Sequence, residues 1–334
     1  MTRLPIRDEL RGLEPYGAPQ LDVAVRLNTN ENPFQPPRDF VEDIATTALE
    51  VARTLNRYPD REAQWLRADL ARYVGEEAET RGIDAAMVWV ANGSNEIMTQ
   101  VLQAFGGPGR KMLTFSPTYS MYAEYARNTF TEFVSVARNE DFTLDAQSAA
   151  SAVRLLKPDV VFLASPNNPT GTAMSLDVVV AILKSFDGMV VVDEAYAEFR
   201  RPGVPSAVSL VANNPRLIVT RTMSKAFGFA GARVGYAVAD LEVIDALRIV
   251  AIGGSTTEQS DIDDRKLRER VLGQEATLFE AMFREHRAVM LLLDPDSLDL
   301  LDANHAALQF YGWSLDELRA MNFRQVCQDG PACH

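Results

Sequence analysis

The sequence predicts an α/β fold: a mostly parallel sheet with helices layered on both faces. Three observations carry this. Apolar, β-rich runs recur along residues 87–239, the stretches between them have helical spacing, and the two alternate. The strand candidates are MVWVA (87–91), KMLTF (111–115), DVVFLA (159–164), MVVVDE (189–194), RLIVTR (216–221) and ARVGYAVA (232–239). Strands that read as continuous apolar runs are buried on both faces. In Glu96–Phe105, Ile97, Val101 and Phe105 fall at i, i+4 and i+8, one face of a helix. Leu176–Phe186 has the same spacing. Strands alternating with helices imply a three-layer domain.

Bulk composition narrows the function classes. The 334 residues are 47% hydrophobic and 24% charged, long enough for a sizeable core. The formal net charge of −13 argues against a nucleic-acid partner, because an acidic surface repels phosphate backbones. No apolar run approaches the roughly 20 residues that span a bilayer. The first residues, MTRLPIRDELRGLEPYG, lack an apolar signal core, so no export and a cytoplasmic setting are expected. The two cysteines, Cys327 and Cys333, lie far from the main body, which excludes a disulfide framework there. Cys327, Cys333 and His334 cluster without a standard zinc spacing, so no metal is expected.

The texture changes near Gly253–Gly254, where GGSTTEQSDIDDRKLRER reads as a polar linker entering a helix. Beyond it come a helix, a short apolar strand (Val289–Leu293), a DPDS turn, a second strand and short helices. The expected division is 1–252, 253–276 and 277–334.

The chemistry-bearing residues gather where strands end. Thr222-Met223-Ser224-Lys225 follows a buried strand, and Gly228, Gly231 and Gly235 come after it. A lysine in such a loop is open to desolvation, which lowers its pKa and frees the amine to condense with an aldehyde. Asp193 closes an apolar strand at the sheet's carboxyl edge, where α/β folds bind ligands, and there it can hold a ring nitrogen protonated. Ser165-Pro166-Asn167-Asn168-Pro169-Thr170-Gly171 follows another strand and offers an Asn amide. Asn92-Gly93-Ser94-Asn95-Glu96 ends a strand and opens a helix, whose N–H groups attract anions. Tyr119 in SPTYSMY can stack on a flat ring. Taken singly, each has an ordinary reading: a solvated lysine, a helix-capping acid, a Pro/Asn turn, a plain N-cap, a packed tyrosine.

Their order is more specific than any one of them. G-S-N-E, P-T-Y, S-P-N-N-P-T-G, D-E-A-Y, T-M-S-K-A-F-G and G-A-R-V-G-Y, in that sequence, resemble the fold-type I aminotransferases. RLNTNENPF, with Asn30-Glu31-Asn32-Pro33, and RYPD (Arg57–Asp60) make the chain most similar to histidinol-phosphate aminotransferases over about residues 4–250. The resemblance implies pyridoxal 5′-phosphate as cofactor. It implies that Lys225 is the lysine bonded to that cofactor and the proton shuttle, that Asp193 pairs with the pyridinium nitrogen, and that Asn168 and Tyr196 hold the ring's O3′ oxygen. It places Tyr119 on the ring face, and Gly93, Ser94, Asn95, Thr222, Ser224 and Arg233 on the phosphate. It implies a homodimer in which Tyr58 reaches the partner subunit's cofactor, with Tyr16, Asn32 and Asn168 near substrate. The implied reaction is ping-pong transamination between histidinol phosphate or imidazole acetol phosphate and glutamate or 2-oxoglutarate, in histidine biosynthesis.

Past Val250 the chain departs from the family. The small C-terminal domain, which supplies the arginines that clamp substrate, is expected to be missing. The tail's LLDANHAALQFYGWSLDEL instead resembles the first half of a PAS sensor domain, a partial α+β unit, which suggests a chimera. Two alternatives follow: a related aminotransferase for aromatic amino acids or an amino-acid phosphate decarboxylase, and a PAS-type signalling module carrying an inactive aminotransferase-like domain.

Overall fold

The computed structural model describes residues 4–15, 17, 22–23, 28–253, 289, 291–294, 297–323 and 325–326. It divides into two compact units, Met1–Gly254 and Ser255–His334. Tyr16, Cys327, Cys333 and His334, and nearly all of the 253–276 linker, lie outside the described residues.

The first unit is built on seven strands: β1 (Val88–Ala91), β2 (Lys111–Ser116), β3 (Glu132–Ala137), β4 (Val160–Ala164), β5 (Met189–Asp193), β6 (Leu217–Thr222) and β7 (Gly235–Val238). Their order is β1-β7-β6-β5-β4-β2-β3. β7 pairs antiparallel with β1 and β6, and every other pairing is parallel. Six strands therefore point the same way, and their carboxyl ends form one edge. β7 starts at that edge, so the residues just before it arrive there too.

Seven helices accompany the sheet: α1 (Arg38–Ala52), α2 (Gln64–Glu77), α3 (Ser94–Phe105), α4 (Met121–Asn128), α5 (Ala146–Leu156), α6 (Leu176–Leu183) and α7 (Leu241–Ile252). One apolar core joins Leu70 and Val74 of α2, Val153 of α5 and Ile182 of α6 to Val190 and Val192 of β5. The other joins Val101 of α3, Tyr122 of α4 and Leu247 of α7 to Val191 of the same strand. Consecutive strand residues thus serve opposite faces, which is why the central strands are apolar throughout.

β3 is absent from the sequence prediction. Its EFVSVA alternates instead of running apolar, because it is an edge strand with its outer residues exposed. The second unit has an antiparallel pair, β8 (Leu291–Leu293) and β9 (Leu300–Ala303), then α8 (His305–Tyr311) and α9 (Leu315–Arg319). Asn304 caps α8, and a Ser314/Glu317 capping box starts α9. Leu300, Ala303, Ala307, Leu318 and Val326 make a small core. Among the described residues no helix is long and apolar enough to cross a membrane.

Candidate active site

The shared strand edge opens into a cavity of about 540 Å³. Ser94 and Asn95 reach it from the end of β1, Thr118 and Tyr119 from β2, and Asn168 from β4. Asp193 and Tyr196 come from β5, and Thr222, Ser224 and Lys225 from β6. Arg233 enters just before β7, which an antiparallel strand allows. The sheet thus assembles at one place residues that lie up to 139 positions apart, from Ser94 to Arg233.

One part of the cavity suits an anion. α3 opens on Gly93, which has φ +86° and provides no side-chain cap. A Cβ on Gly93 would lie 2.6 Å from Arg233 Nη2 and would push the guanidinium aside, and the positive φ itself favours glycine. A Cβ on Gly235 would lie 2.2 Å from the Ser94 nitrogen, so β7 packs its backbone directly on the helix start. Arg233 Nη1 donates to Ser224 Oγ at 3.3 Å, and Thr222 Oγ1 donates to the same oxygen at 3.0 Å.

Lys225 is held in this cavity by backbone oxygen. Nζ donates to the carbonyls of Thr29 (3.0 Å) and Asn30 (3.1 Å). Burial pushes its pKa below the usual lysine value, Glu31 opposes this and Arg233 adds to it. The backbone at Thr29 and Asn30, within the RLNTNENPF motif, therefore lies over the lysine. Asn30 Nδ2 also donates to the Tyr196 hydroxyl at 3.0 Å.

Asp193 is buried and accepts from Tyr122 on Oδ2 at 2.8 Å and from the Ala195 N–H on Oδ1 at 3.1 Å. Burial raises its pKa, and these donors act against that rise. Asn168 is set by its neighbour. Asn167 donates to the Pro117 carbonyl (3.1 Å) and Thr170 Oγ1 (2.7 Å), and its Oδ1 accepts from buried Arg138 (3.2 Å).

These contacts decide what chemistry is open. The cavity offers a lysine amine whose ammonium form burial disfavours, a buried carboxylate, an amide and a phenol, beside the Arg233 guanidinium and the start of α3. The family model for aminotransferase class I and II matches residues 22–261. The chain belongs to this family. It is 59% identical to a histidinol-phosphate aminotransferase of Thermobifida fusca over 75% of this chain and 66% of that protein. It is 54% identical to histidinol-phosphate aminotransferase 3 of Burkholderia lata, over 75% of this chain and 68% of that one. The chain thus spans about two thirds of the length of these curated relatives. Among solved structures, the histidinol-phosphate aminotransferase of Sinorhizobium meliloti with pyridoxal-5′-phosphate superposes with a TM-score of 0.61. That match covers 87% of this chain and 80% of that one at 20% identity, which bears on the fold alone.

Three sequence-predicted residues of this aminotransferase-family chain lie off the cavity wall. Gly93 stands behind it, against Arg233. Asn32 turns its amide to the Ala226 carbonyl (3.1 Å) and accepts from the Phe34 N–H (3.0 Å), bracing the loop after Lys225. Tyr58 is fully exposed. Sequence reasoning missed Asn28, Thr29 and Asn30, whose signal was their place in RLNTNENPF, and Thr118, beside Tyr119. It also missed Tyr122, Asn167 and Arg138, which act from behind the wall, where a motif gives no sign of contact.

Proposed function

We propose that this chain binds pyridoxal 5′-phosphate at Lys225 and transfers an amino group between histidinol phosphate or imidazole acetol phosphate and glutamate or 2-oxoglutarate. The observation that carries the proposal is the pairing, in one cavity, of a half-buried lysine with a buried carboxylate, beside Arg233 and the start of α3. The fit to the cofactor is supported by the Gly93 and Gly235 cradle. It is supported too by Thr118 Oγ1, a buried hydroxyl on the cavity with no partner among the described residues.

Bound pyridoxal phosphate supplies an aldehyde that condenses with amines and a pyridinium that accepts electrons. Lys225 would offer its amine to that aldehyde and would carry the proton taken from substrate Cα. Asp193 holds the ring nitrogen's proton. Asn168 and Tyr196 hold the ring oxygen, and Tyr119 covers a face. The α3 start, Thr222, Ser224 and Arg233 hold the phosphate.

A cytoplasmic homodimer is part of the same reading. Phe40, Val41 and Ile44 of α1 are exposed and apolar, and α1 buries no residue within the chain. A second copy is proposed to cover this face, and exposed Tyr58 is proposed to reach the neighbouring cofactor, as the family resemblance implies. The division into 1–252, 253–276 and 277–334 is proposed with it. The tail is proposed as the first half of a PAS-type fold, supported by the order of strand, turn, strand and short helices.

Borohydride reduction of the cofactor-loaded protein, followed by peptide mapping, tests the proposal. The expected adduct is on Lys225; an adduct on another lysine, or none, overturns it. A panel of amino donors separates histidinol phosphate from aromatic amino acids, and carbon dioxide release would reveal a decarboxylase instead.

A further inference from the structure

Tyr122 takes no part in the steps above, yet it touches two residues that do. It is completely buried. Its hydroxyl donates to Asp193 Oδ2 at 2.8 Å. Its ring meets Tyr119 edge-on, centroids 5.6 Å apart at 90°, and meets Phe162 at 5.2 Å and 87°. It lies in the first turn of α4, three residues after Tyr119, so one helix start delivers both. The other donors to Asp193 are weaker or shared: the Ala195 N–H at 3.1 Å and the Thr220 hydroxyl at 3.5 Å, both on Oδ1. The second of these is at the margin of a hydrogen bond. Among the described residues, Tyr122 alone makes a hydrogen bond to Oδ2.

We infer that Tyr122 is a positioning residue that keeps the proton on the nitrogen of the bound pyridine ring, by making Asp193 the weaker base of the two. The inference rests on the pyridoxal-phosphate reading above. A carboxylate in low-dielectric surroundings is a strong base, because desolvation disfavours its charge. Facing a pyridine nitrogen, it competes for a single proton. If the carboxylate wins, the ring is neutral and loses its power as an electron sink. A donor bonded to the charged carboxylate stabilises that form and hands the proton back to the ring. Tyr122 can only donate here. Burial, then the charge of Asp193, pushes its own pKa well up, so it stays a phenol. The other titratable groups facing the pair are Tyr119, Tyr125, Glu194 and Arg138. Glu194 is neutralised by Arg221 from the opposite side of the sheet, 2.8 Å away. The same Tyr122 ring braces Tyr119, so one side chain sets both the nitrogen's partner and the residue proposed to cover the ring face.

The test loads wild-type and Tyr122→Phe proteins with pyridoxal phosphate labelled at the ring nitrogen and reads that nitrogen by NMR. The wild type should read as a pyridinium–pyridine partition weighted toward pyridinium. Tyr122→Phe should move the partition toward neutral pyridine by about tenfold or more, the worth of one hydrogen bond to a charged group. kcat should fall with KM changed by less than about twofold, as for a contact that matters to the proton and not to substrate binding. A fluorinated tyrosine at position 122 keeps shape and donor while strengthening the donation, so it should move the partition the other way. It also decides the matter if Tyr122→Phe does not fold. An unchanged nitrogen signal in folded, loaded variants overturns the inference while leaving the cofactor reading intact. Absence of a borohydride adduct on Lys225 in the wild type removes the cofactor reading, and the inference with it.

Discussion

Two pairs of adjacent residues at the sheet edge invite comparison. Asp193 and Glu194 follow one another at the end of β5, and Thr220 and Arg221 near the end of β6. Because strand residues alternate, Asp193 and Thr220 face one layer while Glu194 and Arg221 face the other. On the second face the charges are closed off. Arg221 is 1% exposed and bonds Glu194 (2.8 Å), Glu77 (2.8 Å), Glu198 (3.2 Å) and Ser206 (2.9 Å). Glu194 also accepts from Ser206 Oγ and the Ala207 N–H, each at 2.7 Å, and Arg200 pairs with Glu77. On the first face Asp193 has donors from one side and the cavity on the other. The same chemistry is structural where buried charges pair with one another and open to function where a carboxylate faces a cavity.

The two faces should therefore fail in different ways. Lys225→Ala, on the cavity side, should abolish covalent capture of pyridoxal phosphate while the melting temperature moves by only about 2–4 °C, read by borohydride trapping and thermal melts. Asp193→Asn should lower transamination by about 10²–10³-fold, the scale of a lost electrostatic partner, with folding stability kept or raised because a buried charge is gone. A large stability loss there would erase the contrast. Arg221→Met should do the reverse. It strands buried carboxylates and should cost about 3–5 kcal/mol by chemical denaturation. Glu194→Gln added to it should recover part of that loss, since the two sites are coupled.

A pH measurement sharpens the cavity side. Burial and Arg233 disfavour the Lys225 ammonium, so its folded pKa lies below 10.5. The uncharged amine is the reactive form, so the rate of cofactor capture should climb with pH and level off at a midpoint below that value. A midpoint at or above it would make Lys225 an ordinary solvated lysine. The smallest effect is expected at Arg138→Met, which removes donors to the Phe115 carbonyl and Asn167. About 1–3 kcal/mol of stability should go, with weaker cofactor binding as the Asn168 loop loosens.

Much of this was legible in the residue order. Each predicted strand among residues 87–239 overlaps an observed one, because a strand buried on both faces must be apolar throughout. The cavity residues were legible because motifs at strand ends are local. Contacts across layers were not. Nothing in SPTYSMY says that its second tyrosine, not its first, reaches Asp193. Nothing in RLNTNENPF says that its backbone, through Thr29 and Asn30, meets the lysine. β3 escaped notice because an edge strand needs only one buried face.

By itself, then, the sequence determined the alternation of buried strands and helices, the family, and the residues that gather at the strand ends. Hydrophobic periodicity and short motifs are local properties, written within a few positions. The tertiary structure alone decided that β7 runs antiparallel and so brings Arg233 to the same edge as Ser94. It also decided which of two adjacent acids faces the cavity and which is sealed by Arg221. Those outcomes depend on strand order and on which layer packs against each face, and both arise only when segments distant in the chain bury their apolar surfaces together.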